Sequence, residues 1–487
     1  MTELIALLEG RQAGTVVRAR SGRLTFSYSP AWRSRPGAYP LSLSMPLAAS
    51  EHSHAAIDAF LWGLLPDNEI VLQRWAQRFH VSPRNAFSLI SHVGEDCAGA
   101  VQFVTPARYE MPAQVKEGTE WLTDSEVATR LHAMKSDISA GRWLKDQGQF
   151  SLAGAQPKTA LLYDGRRWGV PYGRTPTTHI LKPAFHLDGH AYNEHLCVAL
   201  ARSIGLPTVK TEVRDFGGIA AIVVERYDRV DTAKLAALSA AMAAEKAAET
   251  AMHAASDAES AAMLSAESAA AAAKFAEDAE LMANFSKTTP FYRVHQEDFC
   301  QSLAIHPERK YQNQGGPGPL EIIGLLRTYA AQPIGGKRIP GKNSVEEDIA
   351  VFISALLFNW IIAGTDAHAK NYSVLLGGNG VVRLAPLYDI ASILPYDHID
   401  LRKTKLAMKV GGKYEIDEIK LTQWKKFSAD AKIDSAALID EIRAICAVIP
   451  DALSSETRKL ESNGIRDPLI EKLSRLISAR ALKLGKL

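Results

Sequence analysis

Cysteine is scarce and widely spaced. Cys97, Cys197, Cys300 and Cys446 stand about a hundred residues or more apart, without the close pairs that metal sites and disulfide frameworks use. A reducing, cytoplasmic setting is the expectation. No secretion signal is expected either, since Met1-Thr2-Glu3-Leu4 has no basic region followed by an apolar run. The longest uncharged apolar stretch, Ile349 to Gly364, falls short of the roughly 18 residues a bilayer requires, so no membrane contact is expected and the stretch reads as a buried helix. Neither sign of charge is in excess, with 56 Lys+Arg against 54 Asp+Glu. That balance gives no reason to expect a polyanion-binding surface spread over the whole chain and leaves local nucleic-acid contact open.

What is present is length enough for several lobes: 487 residues exceed one ordinary domain. From Leu4 to about Pro106, short alternating runs such as Leu24-Thr25-Phe26-Ser27-Tyr28 predict strands, and Ile57 to Phe79 predicts two helical pieces divided at Pro66. Residues 1–106 therefore read as an N-terminal α+β subdomain. The segment Glu120 to Leu144 looks mostly helical and charged. Across 107–230 the order is hairpin (159–170), strand (178–182), helix (192–204, closed by Gly205) and strand (219–225), the order of a kinase small lobe. Residues 289–487 read as a helical large lobe, interrupted by a hairpin turning at Gly377-Gly378-Asn379-Gly380. The fold class expected is α+β, bilobal and protein-kinase-like.

Between these lobes, 231–288 form an Ala-rich insertion, nearly half alanine from Ala233 to Asn284 and free of Gly and Pro. Such a composition favours helix, and its sparse apolar residues give no sustained heptad seam. It reads either as a helical hairpin or arm inserted at a surface loop, or as a poorly packed spacer.

The strongest chemical signal is Gly364-Thr365-Asp366-Ala367-His368-Ala369-Lys370-Asn371. An Asp followed five positions later by Asn is the spacing of a kinase catalytic loop, where a carboxylate orients and deprotonates the attacking hydroxyl and a neutral oxygen holds a metal on the phosphates. Asp366 is the candidate base and Asn371 a candidate Mg²⁺ ligand. The hairpin then returns the chain to Leu387-Tyr388-Asp389-Ile390, where Asp389 offers a second hard oxygen ligand to the same ion.

Upstream, Ser151-Leu152-Ala153-Gly154-Ala155-Gln156-Pro157-Lys158 is a small-residue turn before a strand. It could admit phosphate oxygens to its backbone amides, although an ordinary hairpin turn would look the same, and it lacks the ending of a Walker A loop. Lys182 could pair with nucleotide phosphates while Glu194 on the next helix holds it; a solvated strand-end lysine is the alternative. The run Val223 to Arg229, with Glu225 and Tyr227, stands where a hinge would meet adenine, or is a charged strand end. His368 faces either phosphate and adenine-side groups or a structural hydrogen bond, and no histidine has a zinc-site spacing.

Taken together, the chain resembles the HipA family of bacterial toxin kinases. The likeness is carried by Pro40 to Leu47, Gly63-Leu64-Leu65-Pro66-Asp67-Asn68, Ser151 to Lys158, Thr177 to Lys182, Val224 to Arg229, Gln296-Glu297-Asp298, Gly364 to Asn371 and Leu387 to Ile390. The resemblance implies a serine/threonine protein kinase using ATP and Mg²⁺. Ser151 would be the inactivating autophosphorylation site, and Ala153, Gly154, Ala155, Gln156, Lys158, Lys182 and His368 would lie around the nucleotide. Glu225 and Tyr227 would face the adenine. It further implies a small helix-turn-helix antitoxin as partner, DNA reached only through that antitoxin, and an aminoacyl-tRNA synthetase, the glutamyl enzyme, as target class. A small-molecule kinase of related fold and a non-catalytic ATP-binding partner of a DNA-binding protein stay open as alternatives.

Overall fold

The computed structural model describes residues 2–110, 117–136, 151–183, 189–235, 237, 291–330 and 344–487. The chain divides into two units, 1–226 with 295–487, and 227–294. Most of the Ala-rich segment lies outside the described residues, and with it the choice between arm and spacer.

In the first unit, Thr2–Leu8, Arg11–Arg18 and Leu24–Tyr28 form an antiparallel meander, extended by Glu51–His52 at one edge and Gln102–Val104 at the other. Its inner face buries Leu4, Val16, Phe26 and Phe103, as the period-two alternation predicts. Two helices, His54–Gly63 and Glu69–Phe79, flank Pro66. The second starts where the Asn68 side chain accepts the amides of Ile70 and Val71. The short segment Leu64 to Asn68 is thereby fixed between two helix ends.

A six-stranded antiparallel sheet follows, in the order Thr211–Asp215, Ala220–Glu225, His179–Pro183, Thr159–Tyr163, Trp168–Tyr172, Gly118–Leu122. The stretch expected to be helical from Glu120 thus begins as an edge strand. Helix starts only at Asp124, where Thr123 and Glu126 bond reciprocally through side chain and backbone. Residues 137–150 lie outside the described ones. Val127 and Leu131 of that helix pack on Leu161, Trp168, Leu181 and Val223. The helix His190–Ser203 packs against the Thr211–Asp215 and Ala220–Glu225 strands.

The remainder is mostly helical: Pro319–Ala330, Ser344–Ile362, Leu421–Ala431, Ser435–Ser462 and Pro468–Leu484. Ser344–Ile362 is the buried helix foreseen from its apolar run, with Phe352, Leu357, Phe358 and Trp360 enclosed. The hairpin Ser373–Gly377 with Val381–Leu384 turns through Asn379 at φ 60° and gains a third strand, His295–Asp298. Glu297 on that strand accepts the Leu43 amide at 2.8 Å, tying the Pro40 to Leu47 motif to the helical part, and burial pushes its carboxyl up to about 8. The four cysteines are buried and none is in a disulfide. Among the described residues no helix is long and apolar enough to cross a membrane.

Candidate active site

The Ser344–Ile362 helix ends at Ala363, in the left-handed region at φ 55°, and Gly364, where a Cβ would collide with the Asn359 amide oxygen. The chain then closes on itself. The His368 amide donates to the Asp366 carbonyl at 2.8 Å, the Asn371 amide to the His368 carbonyl at 2.9 Å, and the Asn371 side-chain nitrogen to the Asp366 carbonyl at 2.7 Å. The two residues spaced five apart are therefore pinned side by side. The nitrogen of Asn371 is spent on backbone, so its amide oxygen is the side-chain atom that could ligate an ion. The Asp366 side chain is 64% exposed and lies 3.8 Å from His368 Nε2. Burial pushes the His368 imidazole below its usual range.

Tyr311, unnoticed in the sequence, donates its phenol to Asp366 Oδ1 at 2.5 Å. Burial and that bond push the phenol above its ordinary range. No motif announces Tyr311: it stands in a polar segment before the Gly315-Gly316-Pro317-Gly318 turn, far from its partner in sequence.

Lys182 is the centre of charge. Its ammonium lies 2.7 Å from Glu194 Oε1 and 2.7 Å from Asp389 Oδ1, with the lysine 11% and the glutamate 2% exposed. Burial alone would lower the lysine, and the two carboxylates outweigh it, holding the ammonium above the usual range. Burial alone would raise the Asp389 carboxyl, and Lys182 and Lys158 outweigh it and hold it well below the carboxylate range. Asp389 adopts φ 59°, an uncommon conformation for a non-glycine residue. The preceding Tyr388 donates to the Lys370 carbonyl at 2.8 Å, fastening this turn to the Asp366 loop. The charges of Asp366 and Asp389 both act on Tyr311 and on His368, so the two carboxylates share one region.

The small-residue turn bends at Gly154, φ 100°, where a Cβ would strike the Lys158 ammonium. Lys158 folds back onto the Ala153 carbonyl at 2.7 Å, and burial with repulsion from Lys182 lowers it to about 8. Gln156 bonds His190 at 2.7 Å. Ser151 is fully buried: its hydroxyl donates to the Leu64 carbonyl at 2.6 Å and its amide to the Asp96 carbonyl at 3.1 Å. Glu225 ends the strand beside that of Lys182, opposite His179, and is half-exposed with Lys210 at 3.7 Å. Tyr227 belongs to the second unit and stays an expectation.

Asp67 has no role foreseen in the sequence beyond its place in the Gly63 to Asn68 motif. Its carboxylate receives Lys310 at 2.8 Å and Lys370 at 2.5 Å. Burial would raise it, and the two lysines hold it at about 2.

For a divalent ion the donor set here is one carboxylate of Asp389 and one amide oxygen of Asn371, with Asp366 nearby. Among the described residues no group of three or more His, Cys, Asp or Glu forms a cage. That donor set fits Mg²⁺, which takes one or two protein oxygens and the rest from phosphates and water. It does not fit zinc.

Comparison with known proteins defines the class and then the family. A mixed α+β fold is shared with a solved structure of the Shewanella oneidensis MR-1 toxin–antitoxin system HipA, HipB and its operator DNA, at TM-score 0.72 and 22% identity over 99% of this chain and 98% of that one. Relatives carry kinase names: "Putative kinase Y4mE" of Sinorhizobium fredii is 30% identical over 87% of this chain and 84% of its own length. "Serine/threonine-protein kinase toxin HipA" of Shewanella oneidensis is 24% identical over 88% and 82%. The family model for the HipA N-terminal domain matches residues 4–104, and that for the HipA-like C-terminal domain matches 150–289 and 268–453. The chain belongs to the HipA family.

Proposed function

We propose that this chain is an ATP-dependent serine/threonine protein kinase toxin, built as a bilobal kinase-like body behind an N-terminal subdomain, 1–106, with 107–230 as small lobe, 231–288 as insertion and 289–487 as large lobe. The observation that supports this most is Lys182, buried between Glu194 and Asp389 beside a loop that pins Asp366 to Asn371. In this reading the amides of 153–156 and the ammonium groups of Lys158 and Lys182 hold the triphosphate, Glu225 and Tyr227 face the adenine, and His368 lies on the phosphate side. Mg²⁺ on Asp389 and Asn371 would neutralise charge on the phosphates. Asp366 orients the acceptor hydroxyl and takes its proton as the γ-phosphoryl group passes to that oxygen and ADP leaves.

The protein acceptor is proposed from the family resemblance as an aminoacyl-tRNA synthetase, the glutamyl enzyme. The partner is proposed as a small helix-turn-helix antitoxin that brings operator DNA, in the cytoplasm. Self-phosphorylation at Ser151 would place close to two negative charges where the nucleotide's own phosphates sit. Because the Ser151 hydroxyl is enclosed against Leu64, that modification requires the turn to leave its seat.

The test is incubation with γ-labelled ATP, Mg²⁺ and bacterial lysate, followed by mapping of labelled residues. Label is expected on a lysate protein and on Ser151, and Ser151→Ala is expected to lose only the second. Label confined to small molecules would replace this reading by a small-molecule kinase. ATP bound without any transfer would replace it by a non-catalytic partner of a DNA-binding protein.

A pH dependence follows from Lys158. Its ammonium deprotonates near pH 8 in the free protein, whereas bound phosphates favour the charged form, so above that pH binding must take up a proton. Affinity for an ATP analogue should fall by up to about tenfold per pH unit above roughly pH 8, and the Lys158→Met variant should lack that slope. Equilibrium titrations from about pH 7 to 9 check it. Equal slopes in both proteins would remove Lys158 from the phosphate site.

A further inference from the structure

We propose that Asp67 is a positioning residue that couples the seat of the 151–158 turn to the Asp366 loop, so that lifting the turn loosens the opposite wall of the site. The proposal rests on the kinase reading for its kinetic consequence, and on geometry alone for the coupling.

On one side, the segment Leu64 to Asn68 holds the turn by three bonds. The Leu64 carbonyl accepts the Ser151 hydroxyl at 2.6 Å, the Asp67 amide donates to the Gly154 carbonyl at 3.2 Å, and the Asn68 side chain donates to the Ala155 carbonyl at 3.4 Å. On the other side, the Asp67 carboxylate binds two lysines, each next in sequence to a residue that bonds Asp366. Lys370 directly precedes Asn371 in the loop and is 3% exposed. Lys310 directly precedes Tyr311, whose phenol grips Asp366, and its carbonyl accepts the Ala369 amide at 3.4 Å. One residue thus contacts the turn through its backbone and both flanks of the loop through its side chain.

The electrostatics make this more than a staple. Two ammonium groups converge on a single carboxylate in a largely buried place, so that carboxylate masks their mutual repulsion most directly, while the charge of Asp298 also acts on Lys370. A movement of the 64–68 backbone that follows the turn outward withdraws the carboxylate from both lysines together. Tyr311 and Asn371, each next to one of those lysines, then lose their fixed relation to Asp366. Networks in which elements have two discrete arrangements transmit such shifts.

The test uses the full chain and two readouts. Backbone hydrogen exchange is measured in wild type, Asp67→Asn, Ser151→Glu and the double variant. A glutamate cannot keep the enclosed place of the Ser151 hydroxyl and displaces the turn. Ser151→Glu is expected to speed exchange across 366–371 by on the order of tenfold, and in the Asp67→Asn background it is expected to add little further, which is the non-additivity that coupling requires. The five-stranded N-terminal sheet should be unchanged. In kinetics, Asp67→Asn is expected to lower turnover at saturating ATP by on the order of 10²-fold while KM for ATP shifts by less than about threefold, since Leu64 and Asn68 still seat the turn. Lys310→Met, which leaves Asp67 paired with Lys370, should show the same split with a smaller loss and guards against an Asp67→Asn protein that does not fold. Exchange at 366–371 indifferent to Ser151→Glu, or additive effects in the double variant, would overturn the coupling. Coupled exchange in a chain that never transfers phosphate would keep the coupling and sink the kinase reading instead.

Discussion

Asp366→Asn lowers phosphoryl transfer by on the order of 10²- to 10⁴-fold, the range that a positioned general base contributes. The side chain is largely exposed, and its partner besides His368 among the described residues is a phenol donor, which an amide oxygen accepts as well. Stability should therefore stay within about 0.5 kcal/mol of wild type. Affinity for an ATP analogue should also hold, because the carboxylate is assigned to the acceptor hydroxyl and not to the phosphates. The measurement is label transfer alongside urea unfolding of both proteins. A variant keeping more than about a tenth of the wild-type rate would be incompatible with Asp366 as base.

Lys182→Met has the second large effect, and on two quantities. Transfer is expected to be lost with the proposed phosphate contact. In addition, the folded protein is left with the Glu194 and Asp389 carboxylates deprived of the ammonium that lay 2.7 Å from each. Breaking the pair with the buried Glu194 costs about 3–5 kcal/mol, while Asp389, 30% exposed, keeps part of its hydration and adds less. The sign with pH follows from proton linkage: the folded variant relieves the stranded carboxylates by taking up a proton, so it binds more protons than the unfolded chain and its stability falls as pH rises. Denaturation should show a deficit larger at about pH 8 than at about pH 5. Adding Glu194→Gln should restore much of the stability and none of the transfer. A Lys182→Met protein as stable as wild type at the higher pH would mean that the lysine is solvated rather than buried between charges.

The parts of the site legible in the sequence are those whose geometry is local. Asp366 and Asn371 lie five apart in one loop, and the turn at Gly154 bends where small residues predict it. Lys182 and Asp389 could be placed only by the order of elements, since 207 positions separate them. Asp67 and Tyr311 escaped because nothing in their neighbourhood encodes a partner 243, 303 or 55 residues away. In the fold, the mixed α+β architecture was readable from periodicity. The misjudged stretch was Glu120–Leu122, the end of the edge strand Gly118–Leu122, whose exposed Glu120 and Trp121 show no alternation to separate it from the helix behind it. His295–Asp298 was missed because its residues, His, Gln, Glu and Asp, are all polar and carry no apolar alternation, although three of them are buried. The hairpin Lys405–Val410 with Lys413–Glu415, joined at Gly411-Gly412, was missed because the apolar run Leu406-Ala407-Met408 interrupts the alternation that marks a strand.

The distance along the chain between Lys182 and Asp389 also bears on synthesis. As the polypeptide emerges from a ribosome, the strand bearing the lysine is made long before the turn bearing its aspartate. A nascent or prematurely terminated product that stops short of that turn has half a charge centre, and translation itself thereby delays competence until most of the chain is complete.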